Sequence, residues 1–199
     1  MASKVPEDSE TRTKVVRMQK ELELAPKYAD LFRPIGSIDS ELSTNGQFES
    51  DAVLGNFATD VMRAAAGTDV ALATSSSFRE PIPPGVVTEE RLRAALPYPN
   101  KILTFSLPGE TLQKLLDFSV SRKGTDFFLQ VSGIRFRIAE GHATSVEVRD
   151  HEKSDAFAPL DPEKKDSGAV PDYRSETAYG YKTIFEPFRS GSSPRPRKG

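Results

Sequence analysis

The chain contains no cysteine and only two histidines, His142 and His151. Without cysteine there can be no disulfide framework, no thiolate nucleophile and no cysteine-ligated zinc or iron–sulfur site. A dinuclear metal centre needs about six to eight nitrogen and oxygen ligands, and two isolated histidines argue against one here. The scarcity of these two residue types therefore excludes thiol chemistry and predicts no metal site in this chain.

An excess of one sign of charge is also missing, because 27 basic residues nearly balance 29 acidic ones. Nucleic-acid-binding proteins usually carry a clear basic excess, so no nucleic-acid partner is expected. The first 20 residues lack the apolar stretch of about 7 to 15 residues that a secretory signal contains. No later segment approaches a membrane span, so the sequence predicts a soluble chain with no membrane partner.

The length of 199 residues suits one core with irregular ends. Residues 1–8 are predicted to form a disordered tail, and residues 9–33 a linker helix with a weak apolar stripe that ends before Pro26. Residues 34–189 are predicted to form the single domain. Residues 190–199 (SGSSPRPRKG) are interpreted as a disordered basic tail, with contact to an anionic surface as the alternative.

Hydrophobic spacing predicts the strongest helix over residues 51–66, with Ser50 or Asp51 as its N-cap and Gly67 at its end. Residues 69–73 (DVALA) are predicted to be a buried strand, followed by a serine loop at 75–77. A polar loop that follows a buried strand often forms part of a ligand site.

Further along, Thr88 is predicted to cap a short helix, and residues 101–107 to form a strand that leads into a second amphipathic helix. Residues 127–138 and 144–148 are predicted to be an antiparallel pair joined across Glu140 and Gly141. After residue 150 the hydrophobic spacing that is typical of helices and strands is lost. The fold class expected from this order is α/β of the α+β type, with mixed β-sheets and flanking helices.

Four segments of the sequence resemble one known family. They are residues 49–79 (ESDAVLGNFATDVMRAAAGTDVALATSSSFR), 96–109 (LPYPNKILTFSLPG), 128–136 (FLQVSGIRF) and 159–164 (PLDPEK). In the same order, they are similar to the C-terminal, substrate-binding domain of the 5′-nucleotidase and UDP-sugar hydrolase family. Any one of them alone would be a weak signal, whereas four in order are a specific one.

The resemblance implies a division of labour between two domains. In that family an N-terminal metallophosphoesterase domain holds two divalent metals, and the C-terminal domain holds the base and sugar of the nucleotide. This chain would then recognise a nucleotide or nucleotide sugar, and hydrolysis would depend on a separate or lost metallophosphoesterase domain that carries both metals. The chain would be cytoplasmic if complete, and periplasmic or extracellular if it is a fragment of an exported nucleotidase.

The resemblance also implies a set of substrate-binding residues. Arg79 stands at the arginine of the family's NGGG-x-R loop, and Tyr98 stands at a phenylalanine that stacks on the base. Asn100 completes that second motif and is expected to fix its turn. The residues alone leave alternatives open, because Arg79 could form a surface ion pair and Tyr98 could be an ordinary turn residue.

The sequence departs from the family pattern at two places. Residues 74–77 (TSSS) replace NGGG, so Thr74, Ser75 and Ser77 are proposed to supply hydroxyl contacts, with lost binding geometry as the alternative. The family's GGDGY segment survives only as residues 178–181 (AYGY), without its acid. Two other functions therefore stay open, a stand-alone non-catalytic binding module and a degenerate scaffold for protein contact.

Further interpretations concern single residues. Tyr173, Tyr179 and Tyr181 could supply a second ring, although ordinary packing is the favoured role for each. Glu49 and Asn56 match motif positions and are interpreted as structural caps or turn bonds.

Overall fold

The structure is a computed structural model that describes residues 6–149, 156–172, 181 and 184. Its elements in chain order are α1 (Ser9–Leu24), a 3-10 helix (Pro26–Phe32), β1 (Pro34–Ile38), α2 (Val53–Ala66), β2 (Val70–Thr74), a 3-10 turn (Ser75–Ser77), β3 (Gly85–Thr88), α3 (Glu89–Ala95), β4 (Ile102–Pro108), α4 (Gly109–Ser121), β5 (Leu129–Ser132), β6 (Ile134–Ala139), β7 (His142–Arg149), β8 (Phe157–Pro159) and β9 (Lys165–Pro171). The predicted fold class, mixed sheets with flanking helices, is confirmed. Residues 1–5 of the first predicted tail and all of the tail at 190–199 lie outside the described residues.

The central sheet has the strand order β4-β9-β2-β5. The β2 strand pairs parallel with β9 and antiparallel with β5, and every residue of β2 is buried. Its alternate side chains enter two different cores: Val70 and Leu72 pack in the cluster that contains α4, while Ala71 and Ala73 pack in the cluster that contains α2. This alternation follows from the period of two along a strand, and it places the sheet between the two helices.

A smaller three-stranded sheet has the order β6-β7-β8. The predicted connection across Glu140 and Gly141 is confirmed, since both residues have positive φ, 50° and 79°. The predicted strand 127–138 is divided by Gly133, whose φ is 74°. A β-carbon at Gly133 would overlap the carbonyl oxygen of Asp69, so only glycine lets β5 end there and β6 begin in another sheet.

The expectation that regular structure decays after residue 150 was wrong for residues 165–171. The strand they form, β9, lies at the centre of the main sheet, between β4 and β2. In it, Gly168 faces Phe105 across the β4 pairing, and a β-carbon at Gly168 would overlap the Phe105 ring. The sequence KDSGAVP has weak strand propensity, so its pairing is imposed by its two neighbours.

Helix capping follows the prediction at some termini and departs from it at one. Gly67 ends α2 in the left-handed conformation with φ 65°, and the hydroxyl of Thr88 accepts a hydrogen bond from the backbone N–H of Arg91 at the start of α3. The prediction that Ser50 or Asp51 caps α2 was wrong, because the N-cap residue is Ala52. The side chain of Gln130 supplies the hydrogen-bond acceptor at the start of α2, where its Oε1 accepts from the Ala52 N–H at 2.8 Å.

The segment predicted as a linker helix, residues 9–33, consists of α1, which ends at Leu24, and the 3-10 helix that follows it. The helix α1 buries none of its residues. It exposes five apolar side chains, Val15, Val16, Met18, Leu22 and Leu24. Within the described part of the chain, no helix has the length and apolar character that crossing a bilayer requires.

Candidate functional site

Three loops are bound together by hydrogen bonds on one side of the central sheet: residues 46–50, 75–79 and 124–128. The Ser75 N–H donates to the carbonyl of Phe128 at 2.8 Å, and the Ser76 N–H donates to the carbonyl of Asp126 at 3.3 Å. The Gln47 side chain donates to the carbonyl of Phe78 at 3.2 Å. These bonds hold together segments that are far apart in the sequence.

The side chain of Gln130, which is almost fully buried, holds the first of these loops against the sheet. Its Nε2 donates to the carbonyls of Gln47 and Ser50, both at 2.8 Å, while its Oε1 accepts from Ala52. A single amide thus satisfies two carbonyls and one N–H in the interior, where an unpaired polar group costs about 1–3 kcal/mol. Nothing in the neighbouring sequence indicates this role, because the partners of Gln130 lie far away along the chain.

Two hydroxyls of the serine loop and the hydroxyl of Thr74 form hydrogen bonds with other groups of the protein. Thr74 and Ser75 are fully buried, and the single hydroxyl proton of Ser75 is shared between the carbonyls of Gln47 and Phe128, the latter at 2.9 Å. The hydroxyl of Thr74 bonds that of Ser76 at 3.1 Å. Ser77 is partly exposed. Of the three predicted contact residues in this loop, Ser77 is therefore the one that a ligand can reach without rearrangement, and the ligand contacts of Thr74 and Ser75 stay predictions.

The predicted residues Arg79 and Tyr98 are brought together. Arg79 follows the serine loop and Tyr98 follows α3, yet the Arg79 guanidinium donates two hydrogen bonds to the Tyr98 hydroxyl, that from Nε at 3.1 Å. The Arg79 N–H also donates to the carbonyl of Ala95 at 2.9 Å, which fixes the loop against the end of α3. Both residues are exposed, so they offer a cation and an aromatic ring to solvent at one place.

Asn100 lies beside this pair. Its backbone N–H donates to the carbonyl of Tyr98 at 2.8 Å, which closes the turn after α3, and the residue is exposed. The structure therefore gathers Ser77, Arg79, Tyr98 and Asn100 around two neighbouring loops. Whether they contact a ligand stays a prediction.

The electrostatics around Arg79 identify a residue that the sequence motifs did not indicate. The hydrogen bond to the Tyr98 hydroxyl raises the pKa of Arg79 above its ordinary value, and attraction to Tyr98 and to the Asp126 carboxylate adds to this. Arg79 therefore stays cationic at every accessible pH. Asp126 is exposed and belongs to a loop distant from Arg79 in the sequence, so no local signal indicated that its charge favours the charged form of Arg79.

The remaining residues considered from sequence have structural contacts. Tyr181 is 2% exposed, packs edge-on against Phe118 with ring centroids 4.8 Å apart, and donates to the carbonyl of Phe127 at 2.9 Å. Packing is thus confirmed as its role. Asn56 donates to the Asp51 carboxylate at 3.1 Å, in agreement with a turn bond. The other two tyrosines considered, at 173 and 179, lie outside the described residues.

A cavity of about 600 Å³ lies apart from the Arg79 and Tyr98 pair, between the start of α2, strands β5 and β6, and Phe157. Three carboxylates line it, those of Glu49, Asp51 and Asp60, together with one guanidinium, Arg135. Arg135 is already paired with Glu147 at 2.6 Å and lies over the Phe157 ring. This excess of negative charge disfavours an anionic ligand, so the cavity is a poor candidate for a nucleotide site.

The family model described as 5′-nucleotidase, C-terminal domain, matches residues 34–186, which is most of the chain. The chain belongs to the 5′-nucleotidase C-terminal domain family. The family model covers the segments that build the three bonded loops and the Arg79 and Tyr98 pair, and it confirms the resemblance seen in the sequence. No curated protein matches the chain.

Solved structures with the same fold include several nucleotidases. A 5′-nucleotidase precursor from Thermus thermophilus is 26% identical with a TM-score of 0.73, over 92% of this chain and 37% of that one. An NAD nucleotidase from Haemophilus influenzae is 22% identical with a TM-score of 0.69, over 92% and 35%. A sulfate thiohydrolase from Thermus thermophilus, in complex with glycerol, is 21% identical with a TM-score of 0.59, over 92% and 34%.

These structures are much longer than this chain, which spans just over a third of their length. The two that are less than 25% identical show the fold alone. Within the residues that the structure describes, no group of three or more histidine, aspartate or glutamate side chains is placed to hold a metal ion.

Proposed function

We propose that this 5′-nucleotidase C-terminal domain binds the base and sugar of a nucleotide or nucleotide sugar and presents the phosphate to a separate metallophosphoesterase domain. The observation that carries the proposal is the contact between Arg79 and Tyr98, two exposed residues on different loops. An aromatic ring can stack on a base, which is worth about 1–3 kcal/mol, and a guanidinium can donate several bonds to sugar or phosphate oxygens.

Dependence on another domain is supported by two features. The chain spans 37% of the length of the Thermus 5′-nucleotidase precursor that it resembles. In addition, α1 carries five exposed apolar side chains, of which Leu24 is 83% exposed, and a packed neighbour would remove this surface from water. Two divalent metals are assigned by this proposal to the other domain, where they would activate water and neutralise phosphoryl charge.

A second candidate function, a scaffold for protein contact, is supported by α2. This helix exposes Val53, Phe57 and Val61, which recur at every fourth position and so lie on one face. Such a stripe can serve a partner protein without any nucleotide. Titration with nucleotides separates the two functions.

The recognition proposal is tested by titrating the ¹⁵N-labelled chain with adenosine and AMP. Amide resonances of residues 77–79, of Tyr98 and of Asn100 should shift together, because the hydrogen bonds between Arg79 and Tyr98 hold these two loops side by side. Affinity should be weak, with a dissociation constant near millimolar, about −4 kcal/mol, since one ring and one acid of the family motif are missing. If several millimolar of nucleosides, nucleotides and nucleotide sugars leave these resonances unmoved, the scaffold function is favoured.

Dependence on a catalytic domain is tested by assaying the isolated chain with AMP and UDP-glucose in the presence of magnesium, manganese or zinc. No phosphate should be released. The matched control is the same protein carrying Arg79→Ala. Activity that survives repeated purification and is lost in this variant would show that the chain hydrolyses phosphoesters without another domain.

A further inference from the structure

The helix α1 presents a narrow apolar stripe to solvent. Val15, Met18 and Leu22 are each about half exposed, and they follow one another at intervals of three and four residues, so they lie on one face of the helix. All residues of α1 are described and none of them is buried, and the helix contacts mainly the 3-10 helix that follows it. A helix of this length is marginal in water by itself, so a neighbour on the stripe would stabilise it.

The spacing of the stripe is that of a coiled-coil seam. In a pair of supercoiled helices, apolar residues recur at alternate intervals of three and four residues and pack between those of the other helix. Thr11, four residues before Val15, extends the seam by one turn. Val16 and Leu24 lie elsewhere on the helix and stay available to another neighbour.

Two opposite charges flank this seam on the same side. Lys14 directly precedes Val15 in the chain, and Glu21 directly precedes Leu22. In an antiparallel pair of two such helices, these flanking positions face each other, so Lys14 of each copy lies opposite Glu21 of the other. In a parallel pair, Lys14 would lie opposite the uncharged Gln19. The charges therefore favour an antiparallel pair of identical helices.

The bonds that these two charges already make do not prevent such a pairing. Lys14 contacts Glu10 at 2.7 Å and Arg17 contacts Glu21 at 3.7 Å, both within α1, and all four side chains are well exposed. Exposed ion pairs of this kind contribute little to stability, so the side chains can turn towards a partner helix at small cost.

We propose that this chain self-associates through α1, as an antiparallel pair in which the stripe of one copy packs against the stripe of a second. Val15 of each copy then lies against Met18 of the other, and Leu22 lies against Thr11. The rest of the chain follows the C-terminal end of α1, so the two domains leave at opposite ends of helices about 24 Å long. A parallel pair would bring both domains to the same end. This inference goes beyond the proposed function and does not depend on it.

The test is sedimentation equilibrium of the full chain. The interface between two helices of this length is small, so a dimer should appear at roughly 0.1–1 mM. Val15→Glu should weaken association at least about tenfold, because it places two charges in the seam. Val16→Glu is the matched control: it makes the same change one position along, outside the seam, and association should stay within about twofold of the unchanged protein.

Charge reversal tests the antiparallel arrangement. Lys14→Glu and Glu21→Lys should each weaken association at least about threefold, because each places like charges opposite one another. The variant with both changes should associate more tightly than either single variant, because opposite charges face each other again. Effects confined to one helix predict the reverse order, since both reversals also break pairs within α1 and their losses would accumulate.

Three results would overturn the proposal. They are a chain that stays monomeric up to about 1 mM, equal effects of Val15→Glu and Val16→Glu, and a doubly reversed variant that associates more weakly than both single variants. The ¹⁵N spectrum of residues 34–149 should stay unchanged in every variant, which separates lost association from lost folding. A monomeric chain that still binds adenosine would leave nucleotide recognition standing.

Discussion

The guanidinium of Arg79 and the phenol of Tyr98 are hydrogen-bonded across two loops, with Nε 3.1 Å from the hydroxyl oxygen and the guanidinium carbon 5.5 Å from the ring centroid. The hydroxyl that accepts these bonds exists because the chain has tyrosine at position 98. The pair therefore couples two proposed ligand contacts: a ligand that draws Arg79 away must replace its bonds to Tyr98.

The first prediction concerns the ring and the hydroxyl of Tyr98 separately. Tyr98→Ala should weaken adenosine binding by about 1–3 kcal/mol, because the stacking face is lost. Tyr98→Phe should keep the face and release Arg79, so affinity should stay within about threefold of the unchanged protein or become tighter. Dissociation constants from chemical-shift titration measure both effects.

The control for this prediction is stability. Both side chains are exposed, and exposed polar pairs contribute little to folding, so Tyr98→Phe should change the free energy of unfolding by less than about 0.5 kcal/mol. If Tyr98→Phe weakens binding as much as Tyr98→Ala does, the hydroxyl and not the ring face makes the contact, and the stacking role is wrong.

The second prediction concerns the pairing of β9 with β4. Gly168→Ala should destabilise the domain by about 1–3 kcal/mol in urea unfolding, because the new β-carbon would overlap the Phe105 ring inside the central sheet. The cost should fall when the substitution is made in a Phe105→Ala background, which removes the ring. Gly36→Ala is the matched control: it also lies in a strand, and a β-carbon there meets no atom within 4 Å. Equal effects of the two alanines would contradict the proposed contact.

The third prediction concerns a buried acid in the same strand. Asp166 is 3% exposed, and its Oδ1 has no hydrogen-bond partner among the described residues, although the Nζ of Lys164 lies 3.6 Å from it. Burial raises the pKa of the Asp166 carboxyl above its ordinary value, and the Lys164 charge opposes this only in part. The folded state therefore holds the proton more tightly than the unfolded state does.

The sign of the pH dependence follows from that difference. The contribution of Asp166 to stability is full below its unfolded pKa, about 4, and is lost as pH rises through the higher folded pKa. Asp166→Asn removes the buried charge, so its melting temperature should exceed that of the unchanged protein at pH 7, and the gap should close towards about pH 4. Melting curves across this pH range measure the effect. A variant that melts below the unchanged protein at pH 7 would show that the ion pair with Lys164 outweighs burial.

Part of the candidate site could be proposed from the sequence because its signals are local. Tyr98 and Asn100 lie in one turn, and Arg79 ends one loop, so each residue can be identified within a single motif segment of the sequence. The influence of the Asp126 charge on Arg79 could not be predicted, since the two residues are distant in the sequence and their loops are joined only by the hydrogen bonds between the serine loop and the turn before β5. The burial of Ser75 was missed for the same reason: its hydroxyl lies in a polar loop, and only the fold brings the carbonyls of Gln47 and Phe128 to it.

The sequence by itself determined the elements whose causes lie within a few residues: the helix that Gly67 ends in the left-handed conformation, the helix that Thr88 caps, and the turn at Glu140 and Gly141. Periodicity and capping are short-range effects, so they can be read along the chain. Only the tertiary structure decided that KDSGAVP becomes a central strand and that the amide of Gln130, not Ser50 or Asp51, serves the start of α2. Both depend on partners far away along the chain, where the pairing of buried polar groups and the fit against a ring outweigh local propensity.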